Sequence, residues 1–229
     1  MKTIIITGAS GNMGQALVKK FMTEGYMVVS TLGPDDPTRI AIKGKNLETA
    51  MVDLANEEDA RQFVEFAAVK HQNIDAAVLT VGGFAMGKIA DTKTADVLKQ
   101  YKLNFETAYN VARPVFLQMM QQGYGRIFLI GSRPGLDMKN SNGMVAYGLS
   151  KSLLFRLAEL MNEESKGTNI VTSVVIPSTI DTPQNRKSMP DADFKKWVKP
   201  EAIALAIYFH CTEEAASLRE PLLKLYGDA

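Results

Sequence analysis

Short apolar runs rich in β-branched residues recur along the chain, and stretches of helical spacing separate them. The runs predict β-strands at 3–7, 27–31, 76–80, 126–130, 170–177 and 222–226. The intervening apolar residues recur at helical spacing, which predicts helices over about 12–24, 57–71, 97–121, 146–165 and 201–211. Strands that alternate with helices are typical of parallel strands joined by helical crossovers.

Apolar residues are continuous within each predicted strand and do not alternate with polar ones. This indicates that both faces of the sheet are covered, so the pattern predicts an α/β fold with a doubly wound sheet and helices on each side. No internal repeat, low-complexity tract or long linker interrupts the sequence, so we expect one domain over residues 1–229. In such sheets ligands bind at the carboxyl ends of the strands, which makes the residues after each strand the candidates for chemistry.

Charge balance and composition argue against several classes of partner. The 229 residues contain 26 basic and 25 acidic side chains, which gives no global field to attract nucleic acid or an anionic membrane. The longest apolar runs are far shorter than the roughly 20 residues of a bilayer span, and the apolar stretch near Met1 is too short for a secretory signal. The single cysteine, Cys211, and two histidines exclude a disulfide scaffold and predict no metal site. We therefore expect a cytoplasmic protein in a reducing setting.

The segment TGASGNMG follows the first predicted strand and leads into the first predicted helix. Its glycines, Gly8, Gly11 and Gly14, allow the backbone to turn tightly and to approach a pyrophosphate. The N-terminus of the following helix offers free N–H groups and the positive end of its dipole to the same group. A tight turn without a ligand is the alternative, but the position between a strand and a helix favours dinucleotide binding.

The second predicted strand ends without the acid that would bind a ribose 2′-OH. Residues 31–33 (Thr, Leu, Gly) occupy that place, and Asp35 and Asp36 come a few residues later. Arg39 is the nearest cation that could bind a 2′-phosphate, although all three charges could also belong to a solvated loop. The missing acid favours NADP(H) over NAD(H) as the cofactor.

Two polar side chains share one face of a predicted helix. Tyr147 and Lys151 are four residues apart in AYGLSK, where the ammonium would lower the pKa of the phenol from its ordinary value near 10 and make it a usable proton donor. A surface tyrosine beside a solvated lysine is the alternative. Ser132 follows the predicted strand 126–130, where a serine can also be a simple turn former. Asn104 lies inside a predicted helix despite its poor helical propensity, which indicates a kink or a buried polar link.

In their order along the chain, these features resemble the short-chain dehydrogenase/reductase family over essentially the whole sequence. The matching segments are the glycine turn, VDLA after the third strand, LN at 103–104, IGS, the Y-x-x-x-K pair, and IP with a later threonine. The resemblance implies a single Rossmann domain with a mostly parallel seven-stranded sheet. It also implies an NAD(P)(H)-dependent oxidoreductase that interconverts a carbonyl and an alcohol on a small-molecule substrate. VGGF (81–84) and Ser178 depart from the family pattern, which has an asparagine-rich turn and a glycine there.

The resemblance implies a catalytic tetrad of Asn104, Ser132, Tyr147 and Lys151. Tyr147 would protonate the substrate oxygen, and Ser132 would hold that oxygen. Lys151 would bind the nicotinamide ribose and lower the pKa of the tyrosine, while Asn104 would hold a water that refills the proton chain. The implied cofactor-binding residues are Gly8, Ser10, Gly11, Asn12, Met13, Gly14, Thr31, Asp53, Leu54, Gly82, Lys151, Pro177, Thr179, Ile180 and Thr182.

The resemblance also implies an assembly of several copies. Met119, Met120 and the apolar face of residues 153–161 are expected to form core and subunit contacts, and the family suggests a homodimer or homotetramer joined through the long helices.

Residues 178–199, which we name the lid segment, follow the predicted strand 170–177. Pro183 and Pro190 restrict its backbone. Its position after a strand end near the expected nicotinamide predicts a short substrate lid, and its shortness predicts a small or flat substrate. A charged surface loop is the alternative interpretation.

Individual residues of the lid segment have expected contacts. Asp191 can cap a short helix that holds Phe194 and Trp197, and Arg186 and Lys187 can meet an anion or a neighbouring loop. The segment looks like that of dihydropteridine reductase, which lacks the serine and asparagine of the tetrad that this chain keeps. Pteridine reduction is therefore one alternative function, and a dinucleotide-sensing binding protein without turnover is another.

Overall fold

One parallel β-sheet forms the centre of the fold. The computed structural model of the chain describes residues 1–36, 42–137, 139 and 141–228. Within these residues the sheet has seven strands in the order β3-β2-β1-β4-β5-β6-β7, and all neighbouring strands are parallel. The strands are β1 (Thr3–Thr7), β2 (Met27–Leu32), β3 (Leu47–Met51), β4 (Ala76–Leu79), β5 (Tyr124–Ile130), β6 (Asn169–Pro177) and β7 (Leu222–Leu225).

Helices connect the strands and cover both faces of the sheet. A π-helical segment (Lys102–Glu106) joins the third helix to the fourth, and a 3₁₀ turn (Phe194–Lys196) lies in the lid segment. The α-helices are α1 (Asn12–Thr23), α2 (Glu57–His71), α3 (Thr94–Tyr101), α4 (Thr107–Gln122), α5 (Arg133–Leu136), α6 (Val145–Glu164), α7 (Pro183–Ser188) and α8 (Pro200–Phe209).

Two apolar cores lie on opposite faces of the sheet. Ile5 of β1 packs in the core that contains α2, α4 and α6, whereas Ile4 and Ile6 pack in the core that contains α1 and α8. Successive side chains of the strand therefore enter two buried faces, which explains why the predicted strands are continuously apolar. The predicted doubly wound Rossmann fold with a parallel seven-stranded sheet is confirmed.

Strand β3 has no apolar run in the sequence. It lies at the edge of the sheet, where it pairs with β2, and residues 49–51 are exposed. An edge strand of this kind does not bury both of its faces, so apolar periodicity does not reveal it. Its place directly before VDLA agrees with the third strand that the family resemblance implies.

Residues 94–122 form two α-helices where the periodicity predicts one. Asn104 lies in the π-helical segment between them and is fully buried. Its side chain bonds to the backbone of Gly83 in the loop after β4. A π-turn adds one residue to a helical turn and is frequent at functional sites. Both interpretations of Asn104, an irregular helix and a buried polar link, are present together.

The described residues contain neither a membrane-spanning helix nor a metal-binding cluster. None of the helices within these ranges combines the length and the apolar character that crossing a bilayer requires. No group of three or more histidine, cysteine, aspartate or glutamate side chains in the same part of the chain is arranged to hold a metal ion.

Candidate active site

The strand order reverses between β1 and β4, and the candidate residues lie around this point. Strands β2 and β3 extend to one side of β1, and β4 to β7 extend to the other. Such a switch point opens a crevice at the carboxyl ends of the strands. The glycine turn follows β1, Gly82 follows β4, Ser132 follows β5, and Pro177 ends β6. The structure therefore brings these four parts of the predicted site to one edge of the sheet.

The turn after β1 is held against β2. Gly8 has a φ of 63°, in the left-handed region that favours glycine. Its N–H donates to Thr31 Oγ1 at 3.3 Å, and Ala9 N–H donates to Thr31 O at 3.0 Å. Thr31 is buried, so its hydroxyl and carbonyl fix the position of the turn.

The start of α1 forms a cradle that fits a pyrophosphate. A Cβ atom on Gly14 would lie 2.2 Å from Gly8 O, so the helix can approach the turn only with glycine at this position. The N-cap residue Gly11 makes no side-chain cap, and the first turn, which contains Asn12 and Met13, has no acidic residue. The first N–H groups of a helix have no partner within the helix, and the positive dipole end lies there. These features fit the phosphate groups of a dinucleotide.

Asp53 and Leu54 lie beside the end of β2. Val52 N–H donates to Leu32 O at 2.9 Å, which joins the two strand ends. Leu54 is buried, and its carbonyl accepts from Asn110 Nδ2 of α4 at 3.0 Å, whereas Asp53 is exposed. The adenosine of a dinucleotide lies at this end of β2 in doubly wound folds.

Ser10 connects the glycine turn to the loop after β2. Its hydroxyl donates to the carboxylate of Asp36, and its carbonyl accepts from Gln15 Nε2 at 2.6 Å. Asp36 is the second of the two late aspartates, and the first, Asp35, is exposed. Arg39, the predicted partner of a 2′-phosphate, lies outside the described residues.

Asn104 is the centre of a buried polar network. Gly83 N–H donates to its Oδ1 at 2.8 Å, and its Nδ2 lies 3.0 Å from Gly83 O, 2.8 Å from Gln100 Oε1 and 3.1 Å from Ser150 Oγ. The Ser150 hydroxyl donates in turn to Tyr147 O at 2.8 Å. The network therefore joins the loop after β4, the π-helical segment and the first turns of α6.

Lys151 is a buried ammonium at the carboxyl end of β5. Its Nζ donates to Ile130 O at 2.7 Å. Burial lowers the pKa of Lys151 from its ordinary 10.5 to about 8, because the charged form loses its hydration. The side chain therefore still carries a charge at neutral pH. A Cβ atom on Gly82 would lie 3.1 Å from Nζ and 2.6 Å from Asn104 Oδ1, so the glycine separates the two groups.

The phenol of Tyr147 lies one helical turn before Lys151 and beside Ser132. Burial raises the pKa of Tyr147 above its ordinary value, and a hydrogen bond with Ser132 acts in the opposite direction. The prediction that the pKa of Tyr147 lies below its ordinary value is wrong for this structure, because the net shift is upward. The ammonium bonds to Ile130 O, and loss of hydration is the larger effect on the phenol. Tyr147 is consequently protonated at neutral pH.

Phe84 forms a wall next to the phenol. Its ring lies edge-to-face with that of Tyr147, with 5.0 Å between the ring centroids, and the residue is 59% exposed. The loop that carries Phe84 is fixed farther along, where Gly87 N–H donates to Gly143 O at 2.7 Å and Val145 N–H donates to Gly87 O at 3.1 Å. An apolar surface therefore borders the candidate proton donor.

Two backbone hydrogen bonds join the beginning of the lid segment to its end. Val198 N–H donates to Thr179 O at 3.0 Å, and Asp181 N–H donates to Val198 O at 2.9 Å. Ile180 lies between these bonds and bridges to Val198. Thr182 comes next and caps α7, because its hydroxyl accepts from the backbone N–H three residues later at 3.1 Å.

Two contacts inside the lid segment differ from those that the sequence predicts. Arg186 pairs with Asp181 at 2.5 Å and lies 4.8 Å from the ring centroid of Phe194, so its partner belongs to the lid segment itself. The cap of the 3₁₀ turn is Asp193, and the prediction of Asp191 is wrong, because the carboxylate that immediately precedes the turn accepts from Lys195 N–H. Trp197 is buried.

Sequence reasoning missed three residues that border the site. Gln100 has a signal in retrospect, because it lies one helical turn before Asn104 and can share its face. Phe84 belongs to VGGF, a departure from the family pattern that indicates a different pocket wall. Ser150 precedes Lys151, and no pattern distinguishes it from other helical serines.

Two crevices of the structure lie away from these residues. One, of about 410 Å³, is bordered by Glu48 and Lys70 between β3 and α2. The other, of about 140 Å³, is bordered by Asp75 and Arg126 at the amino ends of the strands. Neither contains a predicted site residue, whereas the switch point contains most of them, so we place the candidate site at the switch point.

Comparisons with known proteins find similarity over nearly the whole chain. A family model described as short chain dehydrogenase matches residues 2–193. Acetoacetyl-CoA reductase of Acinetobacter sp. (strain RA3849) is 25% identical over 244 residues, which cover 99% of this chain and 96% of the relative. Dihydropteridine reductase of Dictyostelium discoideum is 25% identical over 210 residues, which cover 90% of this chain and 86% of the relative.

A solved structure shows the same fold. ElxO with NADP bound has a TM-score of 0.89 to this chain, and the match covers 99% of this chain and 97% of that one. The two sequences are 22% identical. This likeness extends the agreement in fold to a protein that holds a nicotinamide dinucleotide.

Proposed function

The chain belongs to the short-chain dehydrogenase/reductase family and is an NAD(P)-dependent oxidoreductase of carbonyls and alcohols, and from this we propose that Tyr147 is its proton donor. The observation that carries the proposal is that the Tyr147 phenol lies beside Ser132 at the switch point, close enough for Ser132 to lower the pKa of the phenol. Lys151 lies one helical turn farther along α6.

Each member of the tetrad has a proposed task. Bound NAD(P)H supplies a hydride to the carbonyl carbon. Tyr147 gives its phenolic proton to the substrate oxygen, since its raised pKa keeps it protonated at neutral pH. Ser132 holds the same oxygen with its hydroxyl. Lys151, buried and still charged, binds the ribose hydroxyls and stabilises the phenolate that proton transfer leaves.

Asn104 has a positioning role in this proposal. Its amide holds the loop that contains Gly82 and Gly83 against α6, on which Tyr147 and Lys151 lie. One continuous set of hydrogen bonds therefore joins Asn104 to the first turns of α6. Correct spacing of reacting groups is worth a large share of an enzyme's rate, because misplacement by about 1 Å can cost about 100-fold.

Gly82→Ala is expected to lower turnover at least about tenfold, because the added Cβ would overlap the Asn104 amide and crowd the Lys151 ammonium. Steady-state kinetics and the thermal unfolding midpoint would be measured together. Gly33→Ala is the matched control, since the nearest atom to its Cβ would lie at 3.9 Å, and its unfolding midpoint should not change. Wild-type turnover in Gly82→Ala would contradict the role of this spacing.

The cofactor would be held along the edge described above. The proposed pyrophosphate contacts are the glycine turn and the first turn of α1, and the proposed adenine contacts are Asp53 and Leu54. Pro177 and residues 179–182 border the nicotinamide in this proposal. The absence of an acid at Leu32 supports NADP(H), and we expect NADPH to bind at least as tightly as NADH.

A small or flat carbonyl compound is the proposed substrate. The lid segment spans residues 178–199 and is short, and the exposed ring of Phe84 borders the phenol. Relatives named as acetoacetyl-CoA reductase and dihydropteridine reductase support a ketone or a flat heterocycle as the class to test first.

A homodimer or homotetramer is the proposed assembly. The outer faces of α3, α4 and α6 carry exposed apolar side chains, which in a monomer would face water. These side chains are Leu98, Leu117, Met120, Leu149, Leu153 and Leu160. The single cysteine of the sequence, which is partly buried, supports the proposed cytoplasmic setting.

The experiment that tests the function is a carbonyl screen. Purified protein would be mixed with NADPH or NADH and with small ketones, aromatic aldehydes, a β-ketoacyl thioester and a quinonoid dihydropteridine. We expect at least one flat or small carbonyl to oxidise the cofactor above background. If calorimetry detects cofactor binding but no compound is reduced, a nucleotide-sensing protein without turnover becomes the better account.

Pteridine reduction is the second candidate. The similarity to dihydropteridine reductase and the exposed Phe84 ring, on which a flat heterocycle could stack, both favour it. In the same screen, the quinonoid dihydropteridine would then have the highest kcat/KM. A clear preference for an aliphatic ketone would exclude this candidate.

A further inference from the structure

A tight turn returns the chain to the end of β2. The segment Gly33-Pro34-Asp35-Asp36 follows the strand, and Asp36 N–H donates to Gly33 O at 3.1 Å. A bond between the first and fourth residues defines a β-turn, and proline is favoured at its second position. The fourth residue of this turn is therefore carried back toward the strand end, although it is four positions beyond Leu32 in the sequence.

Asp36 contacts the glycine turn beside the end of β2, where the adenosine of a dinucleotide lies in doubly wound folds. Its carboxylate accepts from the Ser10 hydroxyl. The turn that contains Ser10 is in turn fixed on β2 through the two bonds to Thr31. Asp35, in the middle of the turn, is exposed to solvent, whereas Asp36 is partly buried. The structure thus distinguishes two aspartates that the sequence presents as equivalent.

We propose that Asp36 is a determinant of cofactor specificity. Its carboxylate takes the role of the acid that is absent at Leu32, at the end of β2. A carboxylate at this place accepts a hydrogen bond from the ribose 2′-OH of NAD(H) and repels the 2′-phosphate of NADP(H). This inference rests on the proposed function, because it requires that the glycine turn bind a nicotinamide dinucleotide.

The consequence is weak discrimination between the two cofactors in the natural protein. The apolar residue at the strand end favours NADP(H), and Asp36 opposes that preference from the following turn. Removal of the Asp36 charge should therefore leave a site with a clear preference for NADPH. Removal of the Asp35 charge should not, because an exposed charge is screened by solvent and salt.

The test is isothermal titration calorimetry with NADPH and with NADH, which measures binding without turnover. Asp36→Ala should raise the ratio of the NADH to the NADPH dissociation constant about tenfold over the natural protein, mainly through tighter NADPH binding. Asp36→Asn keeps the side-chain shape and an acceptor oxygen and should reproduce most of this change if repulsion is the cause. Asp35→Ala, in the same turn and with the same loss of charge, should keep the ratio within about twofold.

The outcomes separate the inference from the function on which it rests. If the natural protein binds both dinucleotides but Asp36→Ala and Asp35→Ala have the same ratio as it does, the role of Asp36 is refuted and the proposed function stands. If the natural protein binds neither dinucleotide, both are refuted. A comparison of thermal unfolding midpoints identifies any variant whose ratio changes through loss of the fold, and Asp36→Asn then decides the question.

Discussion

Lys151→Met is expected to abolish detectable turnover and to make the folded protein more stable. The ammonium of Lys151 is buried and donates to Ile130 O. Its charge is needed for the proposed chemistry. Burial of this charge destabilises the folded protein, as the lowered pKa of Lys151 shows. Methionine has a similar length and no charge, so the variant loses both the destabilising buried charge and the ammonium that the reaction needs.

The pH dependence of stability follows from the pKa of Lys151. The folded protein holds this proton with a pKa of about 8, and the unfolded chain holds it with the ordinary value of 10.5. Below about pH 8 both states are protonated and the folded state bears the full cost of the buried charge. As the pH rises from 8 to 10.5 the unfolded state binds more protons than the folded state, so stability increases with pH. Above that window both states are neutral and the cost is gone.

The net increase in the free energy of unfolding for Lys151→Met at neutral pH should be about 1–2 kcal/mol. Relief of the buried charge contributes about 3 kcal/mol, and loss of the hydrogen bond to Ile130 O subtracts about 1 kcal/mol or somewhat more. Thermal and denaturant unfolding at pH 7 and at pH 10 would measure it, and the gain should be smaller at the higher pH. Lys19→Met, at an exposed position of α1, is the control and should change stability by less than about 0.5 kcal/mol and leave turnover intact.

A marked destabilisation in Lys151→Met would contradict the assignment of a costly buried charge. Turnover near that of the natural protein would contradict the catalytic role. The two results are independent, because stability reports the environment of the ammonium and turnover reports its use.

Much of the sheet can be predicted from the sequence because burial on two faces leaves continuous apolar runs. The glycine turn and the Tyr147 and Lys151 pair are also visible, since their geometry depends on neighbours a few residues away within a single element. Strand β3 is not visible, because an edge strand with exposed residues 49–51 lacks the apolar signal. The spacing of residues thus predicts geometry within one element, but it does not reveal a strand at the edge of the sheet.

Contacts between distant segments could not be predicted. The bond from Ser10 to Asp36 depends on a β-turn that reverses the chain after β2, and the Asn104 network depends on a loop that follows β4. The direction of the Tyr147 pKa shift also depends on tertiary structure, since burial raises the pKa by more than the hydrogen bond with Ser132 lowers it. A charge nearby in sequence indicates a possible interaction, whereas hydration and the actual partner decide the shift.

Tyr147→Phe is expected to lower the rate of carbonyl reduction by about 1000-fold, in the middle of the range for loss of a general acid. Phenylalanine keeps the ring that packs edge-to-face against Phe84, so the wall of the site should remain. Because burial raises the pKa of Tyr147, alcohol oxidation by the natural protein, which needs the phenolate, should keep rising with pH beyond pH 10. That rise should be absent in the variant.

The most direct test of the account is therefore the kcat of Tyr147→Phe for the best carbonyl substrate, measured beside its dissociation constant for NADPH. Tyr109→Phe, at a partly exposed position of α4, is the control and should behave as the natural protein does. We predict a loss of about 1000-fold in kcat with a dissociation constant within about threefold of the natural value. Unchanged kcat with intact cofactor binding would contradict the central claim that Tyr147 supplies the proton.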